Sequence, residues 1–189
     1  MKLTETKVKR HTVYNGSFIQ VYEDDILLPN DQPAKRVVVD HVGAAAILPL
    51  THDHRVVLVR QYRYAIGKES LEIPAGKKDF RGEPGLACAV RELEEETGYR
   101  AKTIKKLTAF YTAIGFSNEL IELYVGTDCE PVEKPLEKDS DEFVETVILP
   151  FNEALEMVKK GLIQDAKTVI ALSGLSVLQA SPYSDKNER

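Results

Sequence analysis

Three carboxylates, Glu92, Glu95 and Glu96, are spaced to share one flank of a helix, since residues three and four apart face the same way. Pro84 suits the first turn of that helix, because proline has no amide hydrogen to lose there. Glu83 beside it favours the positive end of the helix dipole, and Gly98 suits a left-handed C-terminal cap. Leu86, Val90, Leu93 and Thr97 also fall three and four apart and predict one buried stripe, with Glu94 pointing elsewhere. Acids gathered on one flank repel one another, and some take up protons unless a counter-charge is supplied. A hard divalent cation such as Mg²⁺ supplies it. That ion takes oxygen ligands, keeps several waters and usually joins a few carboxylates to substrate phosphates. A run of glutamates taken alone more often marks a solvated helix face.

The order of residues separates this helix from a generic acidic run. It reads Arg91-Glu92-Leu93-x-Glu95-Glu96-x-Gly98-Tyr99, with Glu83 eight residues before Arg91. This resembles the Nudix box of the Nudix hydrolases, Gly-x5-Glu-x7-Arg-Glu-U-x-Glu-Glu-x-Gly-U, where U is a bulky apolar residue. Every position from Glu83 to Tyr99 matches. The chain departs from the pattern once: six residues, not five, separate Gly76 from Glu83, which places one extra residue in the loop Lys77–Arg81.

The elements that must hold this helix follow from the rest of the chain. A length of 189 residues with 43% hydrophobic content suits one sizeable core, or one with a small appendage. Residues 8–14 and 18–28 alternate loosely around the turn signal Asn15-Gly16, and a third strand around Val37–Val39 follows the turn Pro29–Pro33. Residues 1–41 therefore read as a small antiparallel sheet, too thin to bury both its faces, which must pack on the main body or on another subunit. The main body is expected over residues 42–180, with 181–189 a flexible tail. Its strands are expected at 42–50, 55–63, 70–74, 103–111, 119–128 and 143–149, with helices capped by Asn152 and Asp165 and the first of them ending at Gly161. Strands, box helix, strands and two closing helices give an α/β/α sandwich with a mixed sheet, which is also the fold the resemblance implies.

Composition excludes some function classes. A net charge of −5 argues against a nucleic-acid surface but permits an anionic substrate if metal ions mediate the contact. No apolar run approaches the ~20 residues of a membrane span. No signal peptide is evident, and the two cysteines, Cys88 and Cys129, do not make a disulfide framework. A cytoplasmic protein with no membrane and no nucleic-acid partner is the expectation. The pair His52-x-His54 reads as a solvated hairpin tip, since two histidines rarely complete a metal site.

Beyond the box, several segments look like the ADP-ribose pyrophosphatase branch: Gln61-Tyr-Arg63, Glu72-Ile-Pro-Ala-Gly76, Gly115-Phe-Ser-Asn-Glu119, Asp141-Glu-Phe-Val144 and Asp165-Ala-Lys-Thr168. Ile114 stands where that branch usually has a proline after the box. The resemblance implies Mg²⁺, or Mn²⁺ in its place, held by Glu92, Glu95, Glu96 and the Ala75 carbonyl. Such ions neutralise a diphosphate and activate water near neutral pH. It also implies that Arg91 orients the glutamates, that a further catalytic carboxylate is Glu142 or its neighbour Asp141, and that Arg36, Arg63, Glu72 and Glu119 contact substrate. Arg63 is suited to grip phosphate as a fork, although a strand-end arginine is as often a surface group, and Glu72 has the alternative of facing solvent. The N-terminal sheet would be exchanged between two subunits of a homodimer. The implied reaction is hydrolysis of ADP-ribose to AMP and ribose 5-phosphate. GDP-mannose or a broader set of nucleoside diphosphate sugars is the alternative, and a non-catalytic ADP-ribose-binding module is a third reading.

Overall fold

The computed structural model describes residues 3–137 and 143–180. Its first three strands, β1 (Thr6–Asn15), β2 (Ile19–Leu27) and β3 (Pro33–His41), form one antiparallel sheet in that order. The Asn15-Gly16 turn closes as its sequence requires, with the Gly16 N–H donating to the Ile19 carbonyl at 2.9 Å. Val8, Val13, Tyr14 and Val37 remain exposed on this sheet.

The core grows around β4 (Ala44–Pro49), in which every residue is buried. A strand buried on both faces must be covered twice. It pairs in parallel with β10 (Leu120–Thr127) and antiparallel with β7 (Ala75–Lys77), while β9 (Thr103–Tyr111) closes the edge antiparallel to β10, giving a mixed sheet. Its side chains alternate between faces. Ala45 and Ile47 pack with Cys88, Ala89 and Leu93 of helix α1 (Gly85–Thr97). Ala46 and Leu48 pack on the other side with β5 (Arg55–Arg63) and helices α2 (Phe151–Lys159) and α3 (Ala166–Ala180). A second sheet, in the order β12-β5-β6, joins β12 (Val144–Pro150) and β6 (Lys68–Glu72) to β5. The short pair β8 (Tyr99–Arg100) and β11 (Glu130–Pro131) caps the far end of α1. This is the layered α/β/α arrangement that the sequence predicts. None of the described helices is long and apolar enough to cross a membrane.

Three local expectations are corrected. Leu86 and Val90 are exposed, whereas Leu93 and Thr97 of the expected stripe are buried together with Gly85, Cys88, Ala89, Glu92, Glu94 and Glu96. The helix lies against a strand of alanines, so small residues turn inward and larger ones outward. Pro84 takes the N-cap position with extended backbone (ψ 126°) and is not in the first turn. Pro150, not Asn152, caps α2. Asp165 does cap α3, accepting from the Thr168 N–H at 3.1 Å and from its hydroxyl at 2.6 Å.

Close packing between β10 and its neighbours gives a direct test. A Cβ on Gly126 would fall 2.9 Å from Ala101 Cβ and 3.1 Å from Ile47 Cδ1. Gly126→Ala should therefore cost about 1–3 kcal/mol by overpacking. Urea denaturation should show a lower midpoint at an unchanged slope, and an unchanged midpoint would show that this contact has room to relax.

Candidate active site

Helix α1 presents its acids to the edge strand β7. Glu92 and Glu96 are buried, at 5% and 2% exposure, in positions where an amphipathic helix normally carries apolar side chains. The Ala75 N–H donates to Glu96 Oε2 at 3.0 Å. A Cβ on residue 76 would fall 1.9 Å from Glu92 Oε1, so the glycine is what admits the Glu92 carboxylate against the strand. Glu95, on the outer side, is only partly covered.

Arg91 supplies the counter-charge. Its Nη1 reaches Glu92 Oε1 at 2.8 Å and Glu95 Oε2 at 2.9 Å, and its Nη2 lies 3.4 Å from Asp79. Burial works against the guanidinium charge, but Glu92 and Glu95 outweigh it and hold Arg91 above its ordinary value. Arg91 thus pairs with both acids and stays charged. Cys88 packs beneath, with Sγ near the carbonyls of Gly76 and Lys77; burial, reinforced by Glu92 and Glu83, pushes its thiol up to about 12. It is packing and not a nucleophile.

Among the described residues, no three His, Cys, Asp or Glu side chains stand ready together as a metal cage. A two-carboxylate edge of hard oxygens beside a backbone strand suits Mg²⁺, which relies on water and substrate for its remaining ligands. The donor set therefore fits.

The second half of the site is an ion-pair knot. Glu72 is buried and accepts from Arg63 Nε and Nη2 at 2.8 and 2.7 Å, and also from Lys167 Nζ. Lys167 reaches Asp165 at 3.1 Å. The arginine fork that the sequence suggested for phosphate is thus engaged by Glu72, leaving Nη1 outside the pair. Burial would raise the Glu72 carboxyl, but Arg63 and Lys167 prevail and bring it from about 4.5 to about 2. Glu72 does not face solvent. Lys167 is the residue that sequence reasoning missed as a site group, although its segment Asp165-Ala-Lys-Thr168 was visible.

Two adjoining cavities lie beside these groups. A cavity of about 170 Å³ is lined by His41, Ala75, Gly76, Lys77, Arg63, Glu119 and Lys167. It shares Arg63, Glu119, Ile121 and Lys167 with a cleft of about 680 Å³ that continues past Glu72, Asp165 and Leu162. Ala75, Arg63, Glu72 and Glu119 are thereby brought together. Arg36 is not: it lies on β3, paired with Glu5, and lines neither cavity. Glu142 and Asp141 lie outside the described residues. His52 is almost fully exposed and bonds Asp128 at 3.0 Å, as a hairpin tip should.

The depressed Glu72 carboxyl carries a pH dependence. A carboxylate whose folded-state value is lowered stabilises the fold fully above its unfolded value and loses that contribution as pH falls through the folded one. The window here runs from about pH 5 down to about pH 2, and the contribution is roughly 3 kcal/mol. Urea melts across this range should show the stability gap between wild type and Glu72→Gln narrowing as pH falls. A gap independent of pH would remove Glu72 as its source.

Comparisons with known proteins agree with this geometry. The NUDIX domain family matches residues 40–172. The chain is 38% identical over 178 residues to the ADP-ribose pyrophosphatase of Bacillus subtilis (strain 168), covering 94% of this chain and 96% of that protein. It is 41% identical over 180 residues to the methanol dehydrogenase activator of Bacillus methanolicus, covering 95% and 97%. A solved structure described as an ADP compounds hydrolase superposes with a TM-score of 0.81 at 23% identity, covering 95% of this chain and 97% of that one, which supports the fold. A box helix whose acids are held against Ala75 and Gly76, and a family match that spans most of the sequence, have one explanation: the chain belongs to the NUDIX family.

Proposed function

We propose that this chain hydrolyses the diphosphate bond of ADP-ribose to AMP and ribose 5-phosphate, with Mg²⁺ as its ion and Mn²⁺ able to replace it. The observation that carries this reading is that Arg63 and Lys167 line the same small cavity as Ala75 and Gly76, the strand residues against which Glu96 and Glu92 are held, so a diphosphate bound beside the acids would have cationic groups within that cavity. The 38% identical relative that bears the name ADP-ribose pyrophosphatase supports the choice of substrate.

Glu92, Glu96, Glu95 and the Ala75 carbonyl would hold the metal, which when bound offsets phosphate charge and makes water a better nucleophile. The chain's own residues do the rest. Arg91 offsets the mutual repulsion of Glu92 and Glu95 by pairing with both. Glu72 fixes Arg63 and Lys167, so both cations meet the substrate already positioned and pay little to be ordered. In the balanced reaction, the water oxygen bonds to one phosphorus, the bridging P–O bond breaks, and the leaving phosphate takes the bond electrons. The proton from water passes to a carboxylate, for which Glu142 is our candidate. We assign the reaction to the cytoplasm, where two buried free thiols, Cys88 and Cys129, are ordinary.

We also infer a homodimer. The exposed apolar side chains Val8, Val13, Tyr14 and Val37 lie on a three-stranded sheet that a second copy would cover. Arg36, remote from its own cleft, would then be free to reach the partner's. Light scattering at micromolar protein should give twice the chain mass, and a monomer would reject this inference.

The reaction is tested with a panel of nucleoside diphosphate sugars and a phosphate-coupled readout. ADP-ribose should turn over in Mg²⁺, and preference for GDP-mannose would favour the alternative substrate. Glu96→Gln should retain the fold and lose at least about 100-fold in kcat, as expected when a metal ligand is lost. Near-normal turnover in that variant would refute the role given to Glu96.

A further inference from the structure

His41 ends β3, where the N-terminal sheet meets the Nudix core, and its side chain is one-tenth exposed. Its surroundings fix it from several sides. The backbone N–H of His41 donates to Asn118 Oδ1 at 2.8 Å, and Asn118 Nδ2 donates to Asp40 at 2.6 Å. The Phe18 ring meets the imidazole edge-on, with centroids 5.9 Å apart. The Gly43 N–H donates to His41 Nδ1 at 3.0 Å, from a backbone with φ of +94° that glycine adopts readily. A ring nitrogen that accepts a hydrogen bond carries no hydrogen, so the imidazole is neutral and its hydrogen sits on Nε2.

That Nε2–H lies 3.7 Å from Glu119 Oε1, too long for a hydrogen bond between them. Glu119 is itself held, because Thr112 Oγ1 donates to its Oε2 at 2.7 Å. Both side chains line the small cavity next to Ala75 and Gly76. The outcome is a fixed donor beside a fixed anionic acceptor at the wall of the site.

Chemistry narrows what such a pair accepts. A phosphate would suit the donor but would bring its charge against the Glu119 carboxylate. An ammonium group would suit the carboxylate but not the N–H. A hydroxyl both accepts and donates, so sugar hydroxyls satisfy both groups. We propose that His41 is a specificity residue which, together with Glu119, reads sugar hydroxyls of the substrate, His41 donating through Nε2–H and Glu119 accepting through Oε1. This rests on the reading of the cleft as a nucleoside diphosphate sugar site. It differs from the metal and diphosphate contacts, which discriminate no sugar.

The test compares ADP-ribose with analogues lacking one ribose hydroxyl at a time. Binding is measured by calorimetry on the full chain in EDTA, and hydrolysis is measured separately in Mg²⁺. On the wild type, at least one deoxy analogue should bind about tenfold more weakly than ADP-ribose. His41→Phe should weaken ADP-ribose by the same factor and leave that analogue unchanged, which a merely structural role would not do. Equal binding of every analogue to the wild type, or an equal loss on all compounds in His41→Phe, overturns the proposal. If His41→Phe fails to fold, the wild-type analogue series decides alone. Hydroxyl discrimination without hydrolysis would reject the proposed reaction and retain this contact; hydrolysis without discrimination would do the reverse; and no binding in EDTA together with no hydrolysis in Mg²⁺ of any compound would reject both.

Discussion

The constraint on which this structure depends is the close approach of α1 to the sheet. Acids are held against a strand only if nothing intervenes, and the contact is made of small residues on both sides. Ala45 of β4 faces Cys88 and Ala89 of the helix, and Gly76 leaves the space that Glu92 fills. Gly85 repeats the device at the helix start: a Cβ there would sit 2.4 Å from Glu122 Oε1. The approach has an electrostatic cost, since Glu92 and Glu96 lose most of their water. Arg91 offsets part of that cost from within the same helix, one and four residues from its partners Glu92 and Glu95, and Glu96 also feels the Arg63 charge from β5.

The Glu72 knot is built differently and serves a different end. Its charges come from β5, β6 and the first turn of α3, so it ties the second sheet to the last helix. A buried carboxylate with two cationic partners is costly to break, because removing one partner leaves the others uncompensated. The acid edge is drawn from one helix, whereas the knot joins three elements.

Much of this was legible in the sequence. Turn residues marked the hairpins, the apolar stretch at β4 marked the core, and the spacing of Glu92, Glu95 and Glu96 marked the acid edge, because each is a local signal with its own period. What escaped was non-local. Reading apolar spacing alone put Leu86 and Val90 inside α1, whereas distance to the alanine strand decides which face is buried. Glu72 was read as a substrate contact, but its pairing with Lys167 escaped, since nothing nearby in sequence announces a partner across 95 positions. His41 gave no signal either, as its partners Phe18, Gly43 and Glu119 converge only when the N-terminal sheet docks. Asn152 was a good cap by type, but the preceding proline already had the extended backbone that a cap needs.

The extra residue between Gly76 and Glu83 shows how an insertion can leave a site undisturbed. Both ends of the loop are anchored. The Lys78 N–H donates to the Gly43 carbonyl at 3.0 Å, and its Nζ reaches Glu122 at 2.8 Å. Lys106 and Lys78 together hold the Glu122 carboxyl at about 2, so this anchor stays charged across ordinary pH. At the other end Glu83 accepts from the Asp79 N–H at 2.8 Å and donates its own N–H to the Phe80 carbonyl at 3.1 Å, closing the loop just before α1. The surplus length goes outward between these points, where Phe80 is exposed and Gly82, at φ of +100°, has open space around it. A longer loop costs little entropy when its ends are already fixed by their own contacts. The position of Glu92 is set by Gly76 and by the helix packing, not by the loop, so the acids keep their register although the pattern ahead of them has slipped by one.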